Sequence, residues 1–310
     1  MKTYLNQFLE ELEIHHSPHT LSAYKRDLAI YSHFLKENTD MALLYEYIDK
    51  KGLSARSKAR IISSVRSYFR FLESKGKKTQ LKKLRPVPVR STLPKLISPK
   101  EFQKIYKAAY EENRHRSARN HATLLLLFGL GCRISEIIQI NLQDINELDS
   151  SLVVTGKRNK QRMLPLTQDL FRQIRTYITQ DRPALLKAHK TNSILINNRG
   201  QRPSRVDVWR WMSVWSKKAG FTKVKSPHQF RHGFATSLLE NGADLRSIQF
   251  LLGHSSIQTT QIYTSVKQDH LIQTIKKHHP LSSLKSPIVP IECDNSISKG
   301  PATSEQRTEK

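Results

Sequence analysis

Apolar residues in the first 84 positions recur every three or four residues, as they do on one face of a helix. Four stretches share this spacing: Tyr4–Leu12, Thr20–Leu35, Ala42–Lys50 and Ser54–Ser74. Gly52 separates the third stretch from the fourth, and Ser54 is a suitable N-cap residue for the fourth. The pattern therefore predicts an N-terminal domain of four helices over residues 1–84.

Beyond residue 96 most apolar positions again follow helical spacing, but a few short runs are typical of β-strands. Helices are predicted over Pro99–Tyr110, Asn120–Phe128, Thr167–Thr179, Ser204–Lys218, Pro227–Glu240, a short stretch ending at Leu252, and 264–278. Leu152–Thr155 and Arg162–Leu166 flank a basic turn and predict a β-hairpin, and Ser193–Ile196 predicts a further short strand. We therefore expect a mainly α fold with a small β-sheet, of the α+β class, in a second domain over residues 97–280.

Two segments lack such a pattern. Residues 85–96 are basic and contain Pro86, Pro88 and Pro94, so we expect an extended linker between the two domains. A basic linker of this kind suits a protein that clamps a nucleic-acid duplex. The alternative is an ordinary flexible linker that is basic only because the whole chain is basic. Residues 281–310 are rich in Ser, Pro and Lys and have few apolar residues, so we expect a disordered C-terminal tail.

The chain has 310 residues and carries 52 Lys and Arg against 26 Asp and Glu, a formal net charge of +26 at pH 7. This excess favours a polyanionic partner, most commonly nucleic acid, although a generally basic surface is the alternative. The N-terminal stretch carries acidic residues, unlike a signal peptide, and the longest apolar run, Ala122–Leu130, is too short to span a bilayer. We therefore expect a cytoplasmic protein without a membrane segment.

Motifs for cofactors and metals are missing from the sequence. The two cysteines, Cys132 and Cys293, are too few for a disulfide framework or a metal cluster. No Walker loop, GxGxxG motif or HExxH motif occurs, and the acidic residues are too scattered for a two-metal nuclease site. We therefore expect no cofactor and no metal, so that fixed cations of the protein would have to stabilise any negative charge.

The fourth predicted helix is strongly basic. It carries five cations, with no acidic residue between Ser54 and Arg70: Arg56, Lys58, Arg60, Arg66 and Arg70. A like-charged helix face is destabilising unless counter-charges approach it, and DNA phosphates would supply them. We therefore predict that the first four of these residues bind DNA, with Lys160 in the predicted hairpin turn as a further candidate. A solvated helix face is the alternative.

The segment from His228 to Tyr263 concentrates side chains that can act on a phosphodiester. Ser226 suits the N-cap of a helix, which places His228 and Arg231 in the first turns on one face. The start of a helix also favours an anion, because free N–H groups and the positive end of the helix dipole lie there. His254 and Tyr263 follow within the same segment.

Cleavage of a phosphodiester without a metal needs fixed cations for the non-bridging oxygens. Arg133 follows two glycines at a predicted helix start and can pair with Glu136, which would hold its guanidinium rigid. Arg133 and Arg231 can each make bidentate contacts to phosphate oxygens, and His254 can donate a further hydrogen bond. A histidine after glycine is, by itself, more often a cap or a satisfied core residue.

The reaction also needs a nucleophile, a base and an acid. Tyr263 is the candidate nucleophile, and His228 can exchange a proton with it. Lys157, in the hairpin turn, can protonate the leaving oxygen, with Lys160 as its rival for this role. Tyr263 in isolation is more often an ordinary surface or core tyrosine, so the assignment depends on the combination of residues.

In combination these residues resemble the tyrosine recombinase (phage integrase) family. The resemblance rests on five motifs: Gly131–Glu136, Gly156-Lys157, His228-x-x-Arg231-His232, Leu252–Ser256 and Thr259–Tyr263. It covers essentially residues 1–280, including the N-terminal helices. Within the family the chain is most like the XerC/XerD-type site-specific recombinases.

The resemblance implies a SAM-like four-helix core-binding domain followed by a tyrosine recombinase catalytic domain. It implies a set of activating residues around the nucleophile Tyr263, with Glu136 orienting the site. The activating set is Arg133, Lys157, His228, Arg231 and His254. The chain departs from the family pattern at Cys132, where Leu is usual, and at Arg158, which replaces a glycine of the hairpin turn.

The implied activity is site-specific recombination, in which DNA is cleaved and rejoined through a 3′-phosphotyrosyl intermediate without metal or ATP. The implied partner is double-stranded DNA at a specific recombination site, on which the chain would form a homo-tetramer or a hetero-tetramer with a paired recombinase. An activator protein is a further partner that the resemblance allows. The implied role is resolution of chromosome or plasmid dimers at cell division. An integrase of a phage or other mobile element is the main alternative. A topoisomerase-like enzyme and a non-catalytic DNA-binding protein of the same fold are the others.

Overall fold

A computed structural model describes residues 2–16, 18–38, 40–89, 96–156, 159–253 and 265–281 of the chain. Residues 90–95 of the predicted linker lie outside these ranges. So do residues 282–310, which are nearly all of the predicted tail. The chain divides into two units, Met1–Leu93 and Pro94–Lys310, and each has its own apolar core. No helix within these ranges is both long and apolar enough to cross a membrane.

The N-terminal unit contains four α-helices in its described residues, as the apolar spacing predicts. They are α1 (Lys2–His15), α2 (Pro18–Glu37), α3 (Leu44–Lys50) and α4 (Ala55–Ser74), with 3₁₀ turns at Met41–Leu43 and Leu81–Lys83. The Ser54 hydroxyl accepts a hydrogen bond from the Ser57 amide and so caps α4. Phe8, Phe34 and Val65 belong to the buried core of this unit. The four-helix prediction is confirmed.

The first residues of the predicted linker pack on the N-terminal unit. Leu84 is fully buried in its core, and Val87 packs against that core. The Tyr45 hydroxyl donates a hydrogen bond to the Arg85 carbonyl oxygen at 2.7 Å. The chain therefore stays in contact with this unit through at least residue 87.

The C-terminal unit is mainly helical and contains a small antiparallel sheet, which confirms the predicted fold class. Its helices are α5 (Pro99–Ala108), α6 (Arg114–Leu124), α7 (Ile134–Ile137), α8 (Gln168–Thr176), α9 (Arg182–Leu186), α10 (Arg205–Lys218), α11 (Pro227–Glu240), α12 (Leu245–Leu252) and α13 (Ser265–His278), with π-helical turns at Leu125–Gly129 and Tyr177–Asp181 and a 3₁₀ turn at Leu142–Asp144. The strands are β1 (Ile145–Asn146), β2 (Ser151–Thr155) and β3 (Gln161–Pro165).

The sheet contains the predicted hairpin and one strand that is not predicted. Strands β2 and β3 are antiparallel, with Val153 opposite Met163. Strand β1 pairs with β2 on the other side, with Ile145 opposite Leu152. A strand of two residues has no alternation of apolar and polar positions, so the sequence gives no signal for it.

The prediction of a strand at Ser193–Ile196 is wrong. Within the described residues this segment makes only an isolated bridge, between Asn141 and Ser193. The Ile194 amide donates to the Ile140 carbonyl oxygen at 3.0 Å, and the segment is buried. A short apolar run therefore marks a buried loop here, which periodicity alone does not distinguish from a strand.

Two predicted helices have the wrong bounds. Helix α6 begins at Arg114 rather than at Asn120, because its first turns are polar and lack apolar spacing. The helix predicted to end at Thr179 continues through a π-helical turn into α9 and ends at Leu186. Pro183 comes just after the π-helical turn, in the first turn of α9.

The core of the C-terminal unit fixes the position of α11. Phe102 and Phe128 stack in this core, with ring centroids 4.4 Å apart. A Cβ on Gly233 would lie 2.3 Å from the Ile97 carbonyl oxygen, so only glycine allows this approach of α11 to the chain before α5. Helix α11, which carries two of the candidate residues, is therefore held directly against the core.

Helix α13 packs on α11 and α12 of the same chain. Ile275 is buried, and His279 just beyond the helix donates through Nε2 to the Gly129 carbonyl oxygen at 2.7 Å. Burial lowers the pKa of His279 to about 4, so the ring is neutral at pH 7. His279 is therefore a core residue that joins the end of α13 to the π-helical turn after α6.

Candidate active site

Arg133 is fixed at the start of a short helix inside the core. Gly131 has a φ of +61°, which favours glycine, and a Cβ there would lie 2.4 Å from the Phe234 ring. Cys132 is fully buried, and burial raises the pKa of its thiol to about 12. Arg133 occupies the N-cap of α7, and its side chain is 34% exposed. The buried turn therefore presents one partly exposed guanidinium.

Glu136 is the buried anion around which the site is arranged. Its Oε1 accepts hydrogen bonds from Arg133 Nη1 at 2.8 Å and from Arg162 Nη1 at 2.9 Å. Its Oε2 accepts from Arg162 Nη2 at 2.8 Å, and Arg231 Nη1 lies 3.9 Å from the same oxygen. Arg133 and Glu136 thus pair as their spacing suggests, and two further arginines converge on the same carboxylate.

The charges in this cluster set the protonation of its members. Burial by itself would raise the pKa of Glu136, but the hydrogen bonds and charges of Arg162 and Arg133 lower it to about 2. Burial, together with the charge of Arg133, lowers the pKa of Arg231 to about 10, which leaves it protonated at pH 7. Three arginines thus surround one carboxylate, and the excess of positive charge favours a bound anion. Within the described ranges no group of His, Cys, Asp and Glu side chains is arranged to hold a metal ion.

Arg162 has no role in the predicted site, yet it is central to the observed one. It lies on β3 and is only 7% exposed, on the same inward side as Leu164. The sequence places it only in the returning strand of the hairpin. An arginine at an inward position of an alternating strand is the signal that could have identified it, because a buried guanidinium requires partners.

Two of the arginines also hold the C-terminus of α12. Arg162 Nε donates to the Leu251 carbonyl oxygen at 2.7 Å, and Arg231 Nη2 donates to the Leu252 carbonyl oxygen. The last carbonyl groups of a helix lack intrahelical partners and carry the negative end of the dipole. Cations are therefore favoured at this position, and they fix the last turn of α12.

The end of α12 leads directly to two further candidate residues. Arg133 donates through Nη1 to the Leu252 carbonyl oxygen and through Nη2 to the Gly253 carbonyl oxygen, each at 3.4 Å. Gly253 ends the helix in the left-handed conformation, with a φ of +63°. His254 is the next residue in the chain, and both His254 and Tyr263 lie outside the described residues.

Helix α11 brings one of its two candidate residues into the cluster. The Ser226 amide donates to Gln229 Oε1 at 2.7 Å, which is one half of a capping box at the predicted N-cap. Arg231 is 6% exposed and donates through Nη1 to the Gly131 carbonyl oxygen at 2.8 Å. His228, one turn earlier, is exposed. Only Arg231 therefore enters the buried cluster, and His228 faces solvent.

The hairpin that carries Lys157 begins beside the cluster. The Gly156 amide donates to the Lys160 carbonyl oxygen at 2.7 Å, and a Cβ on Gly156 would lie 3.5 Å from Glu136 Oε1. Lys160 is exposed, whereas Lys157 lies outside the described residues. The strand that leads to Lys157 thus ends next to the carboxylate.

Two of the cations on α4 have acidic partners within the N-terminal unit. Arg60 Nη2 lies 2.9 Å from Oδ1 of the buried Asp27 on α2. Lys58 Nζ contacts Oδ1 of Asp49 on α3. The counter-charges that the sequence assigns to DNA therefore come, for these two residues, from neighbouring helices.

The other two predicted DNA-binding residues of α4 differ from this pair. Arg66 donates a hydrogen bond to the Leu84 carbonyl oxygen, where the chain leaves the last 3₁₀ turn of the unit. Arg56, in the first turn of α4, is exposed. Of the four, Arg56 and Arg60 are exposed, and Arg60 already contacts Asp27.

Comparison with known proteins places the chain in a family. Residues 95–270 match the phage integrase family, and residues 5–76 match the N-terminal SAM-like domain of phage integrases. The chain belongs to the phage integrase family. The family resemblance inferred from the five sequence motifs is confirmed.

Curated relatives extend over nearly the whole chain. The tyrosine recombinase XerD of Staphylococcus saprophyticus is 36% identical over 296 residues, which cover 90% of this chain and 99% of the relative. The tyrosine recombinase XerD of Staphylococcus aureus is 34% identical over 294 residues, with the same coverage. These relatives confirm the likeness to Xer-type recombinases.

Solved structures share the fold at lower identity. The XerH site-specific recombinase in its post-cleavage complex with difH superimposes with a TM-score of 0.64 at 21% identity, covering 85% of this chain and 78% of XerH. Lambda integrase (residues 75–356) bound to DNA superimposes with a TM-score of 0.65 at 19% identity, covering 87% of this chain and 95% of that structure. The mainly α fold with a small sheet is thus the fold of these recombinases.

Proposed function

We propose that this chain is a site-specific DNA recombinase that cleaves and rejoins DNA through a 3′-phosphotyrosyl intermediate. The observation that carries the proposal is the buried cluster in which Arg133 and Arg231 are held by Glu136 and by the end of α12, immediately before His254 in the chain. Membership of the phage integrase family and relatives named tyrosine recombinases support it.

In the cleavage step the phenol oxygen of Tyr263 attacks a DNA phosphorus. A bond forms between this oxygen and phosphorus, and the bond from phosphorus to the 5′ oxygen breaks. His228 accepts the phenol proton, and Lys157 donates a proton to the leaving 5′ oxygen. Arg133 and Arg231 hydrogen-bond to the non-bridging oxygens, where negative charge develops.

The cluster makes this charge stabilisation effective because it is assembled before DNA binds. Glu136 and the carbonyl groups of α12 fix the two arginines, so little reorganisation is needed in the transition state. His254 supplies a further hydrogen bond from the position after Gly253. Of the two arginines, Arg133 has the more exposed side chain, at 34% against 8% for Arg231.

The rejoining step reverses the chemistry with a new partner. The 5′ hydroxyl of a second strand attacks the phosphotyrosyl phosphorus and gives its proton to the Lys157 amine. The bond between phosphorus and the Tyr263 oxygen breaks, and the phenol recovers its proton from His228. Each step replaces one phosphodiester by another. The reaction therefore needs no ATP.

DNA binding involves both domains in this proposal. The N-terminal domain (1–84) and the catalytic domain (97–280), joined by the basic linker (85–96), clamp a duplex that contains the recombination site. Contacts to phosphates come from five cations: Arg56, Lys58, Arg60, Arg66 and Lys160. Because the chain carries a formal charge of +26, we expect affinity to fall steeply with salt.

The Xer-type relatives support a proposal for the biological role. We propose that the chain acts as a homo- or hetero-tetramer with a paired recombinase, under control of an activator protein, to resolve chromosome or plasmid dimers in the cytoplasm at cell division. An integrase of a mobile element would use the same chemistry on a different target. Sequencing of DNA fragments crosslinked to the protein in cells distinguishes a chromosomal dimer-resolution site from an element attachment site.

A nicked suicide substrate tests the chemistry. When the short fragment beside the nick is lost after cleavage, the 5′ hydroxyl needed for rejoining is lost too, and the covalent protein–DNA adduct accumulates. We expect the Tyr263→Phe variant to bind DNA but form no adduct. The Tyr110→Phe variant, which alters an exposed tyrosine (44% exposed), is the matched control and should form the adduct normally. An adduct formed by Tyr263→Phe would exclude Tyr263 as the nucleophile.

A further inference from the structure

Arg162 uses its whole guanidinium inside the protein. Its Nη1 and Nη2 donate to the two carboxylate oxygens of Glu136 at 2.9 and 2.8 Å, and its Nε donates to the Leu251 carbonyl oxygen at 2.7 Å. The residue is only 7% exposed. A guanidinium in this arrangement cannot turn towards a phosphate without breaking contacts with a buried carboxylate. Its contribution therefore acts through its protein partners.

The first partner, Glu136, connects Arg162 to Arg133 and Arg231. Glu136 Oε1 is shared between Arg162 and Arg133, whereas Arg231 is held at 3.9 Å from Oε2. Without Arg162 the buried carboxylate would lose two hydrogen bonds, and its charge would draw the remaining arginines towards it. Arg231 would then be pulled away from its hydrogen bond to the Gly131 carbonyl oxygen.

The second partner is the end of α12. Arg162 and Arg231 donate to consecutive carbonyl groups there, those of Leu251 and Leu252. A Cβ on Gly253 would lie 3.0 Å from Arg162 Nη1 and 3.2 Å from its Cδ, so the side chain packs directly against this backbone. Arg162 therefore also fixes the point at which the chain leaves α12 towards His254.

We propose that Arg162 is a positioning residue for the catalytic arginines, which it fixes through Glu136 and through the C-terminus of α12. The inference rests on the proposed function, because the catalytic roles of Arg133 and Arg231 belong to it. Arg162 touches no substrate. It keeps Glu136 paired, so that Arg133 stays on Oε1 and Arg231 stays on the Gly131 carbonyl oxygen.

The Arg162→Met variant tests this role against a matched control, Arg182→Met. Arg182 is equally buried (5% exposed) and also donates to backbone carbonyl groups, at Ser193 and Thr191, but it lies outside the Glu136 cluster. Both variants lose a buried arginine and should lose stability. We expect only Arg162→Met to lose single-turnover cleavage of the nicked substrate at saturating DNA, by roughly 100-fold, the size of effect that a misplacement of about 1 Å can cause.

Arg162→Lys adds a test that a merely structural role would not satisfy. Lysine keeps the positive charge but cannot bridge both oxygens of Glu136 and reach Leu251 at the same time. We therefore expect a cleavage rate between those of the wild type and Arg162→Met, with DNA affinity unchanged within about twofold in both variants. All rates are compared per folded molecule, with the folded fraction measured by circular dichroism.

Hydrogen–deuterium exchange gives a readout that does not depend on catalysis. We expect faster amide exchange over residues 245–253 in Arg162→Met than in the wild type or Arg182→Met. The proposal is overturned if exchange there is unchanged, or if Arg162→Met cleaves as fast per folded molecule as Arg182→Met. A wild-type chain that forms no adduct would overturn the proposed function instead, and the exchange result would still decide whether Arg162 fixes α12.

Discussion

Two groups of cations in this chain have similar sequence signatures but different surroundings. In the C-terminal unit, Arg162 and Arg231 are less than 10% exposed and share the buried Glu136 with Arg133. In the N-terminal unit, the cations of α4 lie along a helix surface, and the side chain of Arg60 is 48% exposed. The side chains of the first group are held in place by buried contacts. The second group includes side chains that are exposed to solvent and accessible to a polyanion.

The acidic partners sharpen this contrast. Glu136 and Asp27 are both almost fully buried carboxylates. Around Glu136 the arginines outweigh burial, and the pKa falls to about 2. At Asp27 burial outweighs the hydrogen bond from Ser64 and the charge of Arg60, and the pKa is raised. The cluster thus stabilises the ionised form of Glu136. The surroundings of Asp27 instead favour its neutral form.

The difference has a functional meaning. A fixed, partly buried set of cations suits one phosphate at which charge develops, because its electrostatic effect is strong and already oriented. Exposed pairs such as that of Lys58 with Asp49 contribute only about 0–1 kcal/mol and are easily exchanged for another anion. Cations of this second kind suit repeated, interchangeable contacts with a DNA backbone.

The largest effect that this comparison predicts is on cleavage. We expect Arg231→Ala to lower the single-turnover cleavage rate by a factor of about 10² to 10³, the loss typical of one preorganised donor. Arg56→Ala, its counterpart on α4, should leave the rate at saturating DNA unchanged. Both rates are measured on the nicked substrate. Equal losses in the two variants would contradict the separation of charge stabilisation from DNA binding.

The two buried carboxylates give the next largest effect, on the free energy of unfolding. We expect Glu136→Gln to lose on the order of 3 kcal/mol at pH 7, because removal of one member of a buried charge network leaves the others uncompensated. Asp27→Asn removes a charge that burial disfavours, and we expect it to leave stability unchanged or to raise it. Denaturant unfolding monitored by circular dichroism measures both.

The pH dependence of stability follows from the same two groups, with opposite signs. The pKa of Glu136 is lowered from 4.5 to about 2, so its contribution is complete above pH 4.5 and is lost as the pH falls from there towards 2. The pKa of Asp27 is raised from 3.8, so it favours the folded state most at low pH and loses this contribution as the pH rises through its raised value. Each dependence should disappear in the corresponding amide variant, and a dependence that persisted would have another origin.

Local patterns in the sequence predict much of the fold and part of the site. The apolar spacing predicts the four N-terminal helices and the hairpin, and the cap residues predict the starts of α4 and α11. The pairing of Arg133 with Glu136 is predictable as well, because Glu136 is three positions after Arg133 at the start of one short helix. These features share one property, which is that all of their determinants are close together in the chain.

Contacts between distant segments account for what the sequence does not predict. Arg162 reaches Glu136 only because the β-hairpin packs beside α7 through β2, and no local pattern encodes that neighbourhood. Asp27 pairs with Arg60 across two helices for the same reason. The polar start of α6 at Arg114 and the buried loop at 193–196 are further cases, since their polar or apolar character is decided by tertiary partners rather than by periodicity.

A smaller effect on stability is expected at the turns that precede the two groups of cations. Gly131, before Arg133, and Gly52, before α4, have similar φ values of +61° and +64°. A Cβ on Gly131 would lie 2.4 Å from the Phe234 ring, whereas a Cβ on Gly52 would have nothing within 4 Å. We expect Gly52→Ala to cost about 1 kcal/mol of unfolding free energy from backbone strain alone. Gly131→Ala should cost about 1–3 kcal/mol more, because overpacking is added. Similar losses in thermal or denaturant unfolding would show that the turn before Arg133 is less tightly enclosed than the geometry indicates.

The smallest expected effect is on the salt dependence of DNA binding. If Arg56 and Lys58 each contact a phosphate, Arg56→Gln and Lys58→Gln should each reduce the slope of log K against log salt by about 0.9. Lys58 should show this effect despite its pair with Asp49, because that carboxylate is 62% exposed and regains water when the pair opens. Lys218→Gln, a substitution at the end of α10 that removes one charge outside the proposed interface, is the control for net charge. Fluorescence anisotropy titrations between about 50 and 200 mM salt measure the slope. In this range of salt concentration the affinity of a protein with several phosphate contacts changes strongly. If the slopes of all three variants equal that of the wild type, α4 is a solvated face, and the contrast between the two groups of cations is one of burial alone.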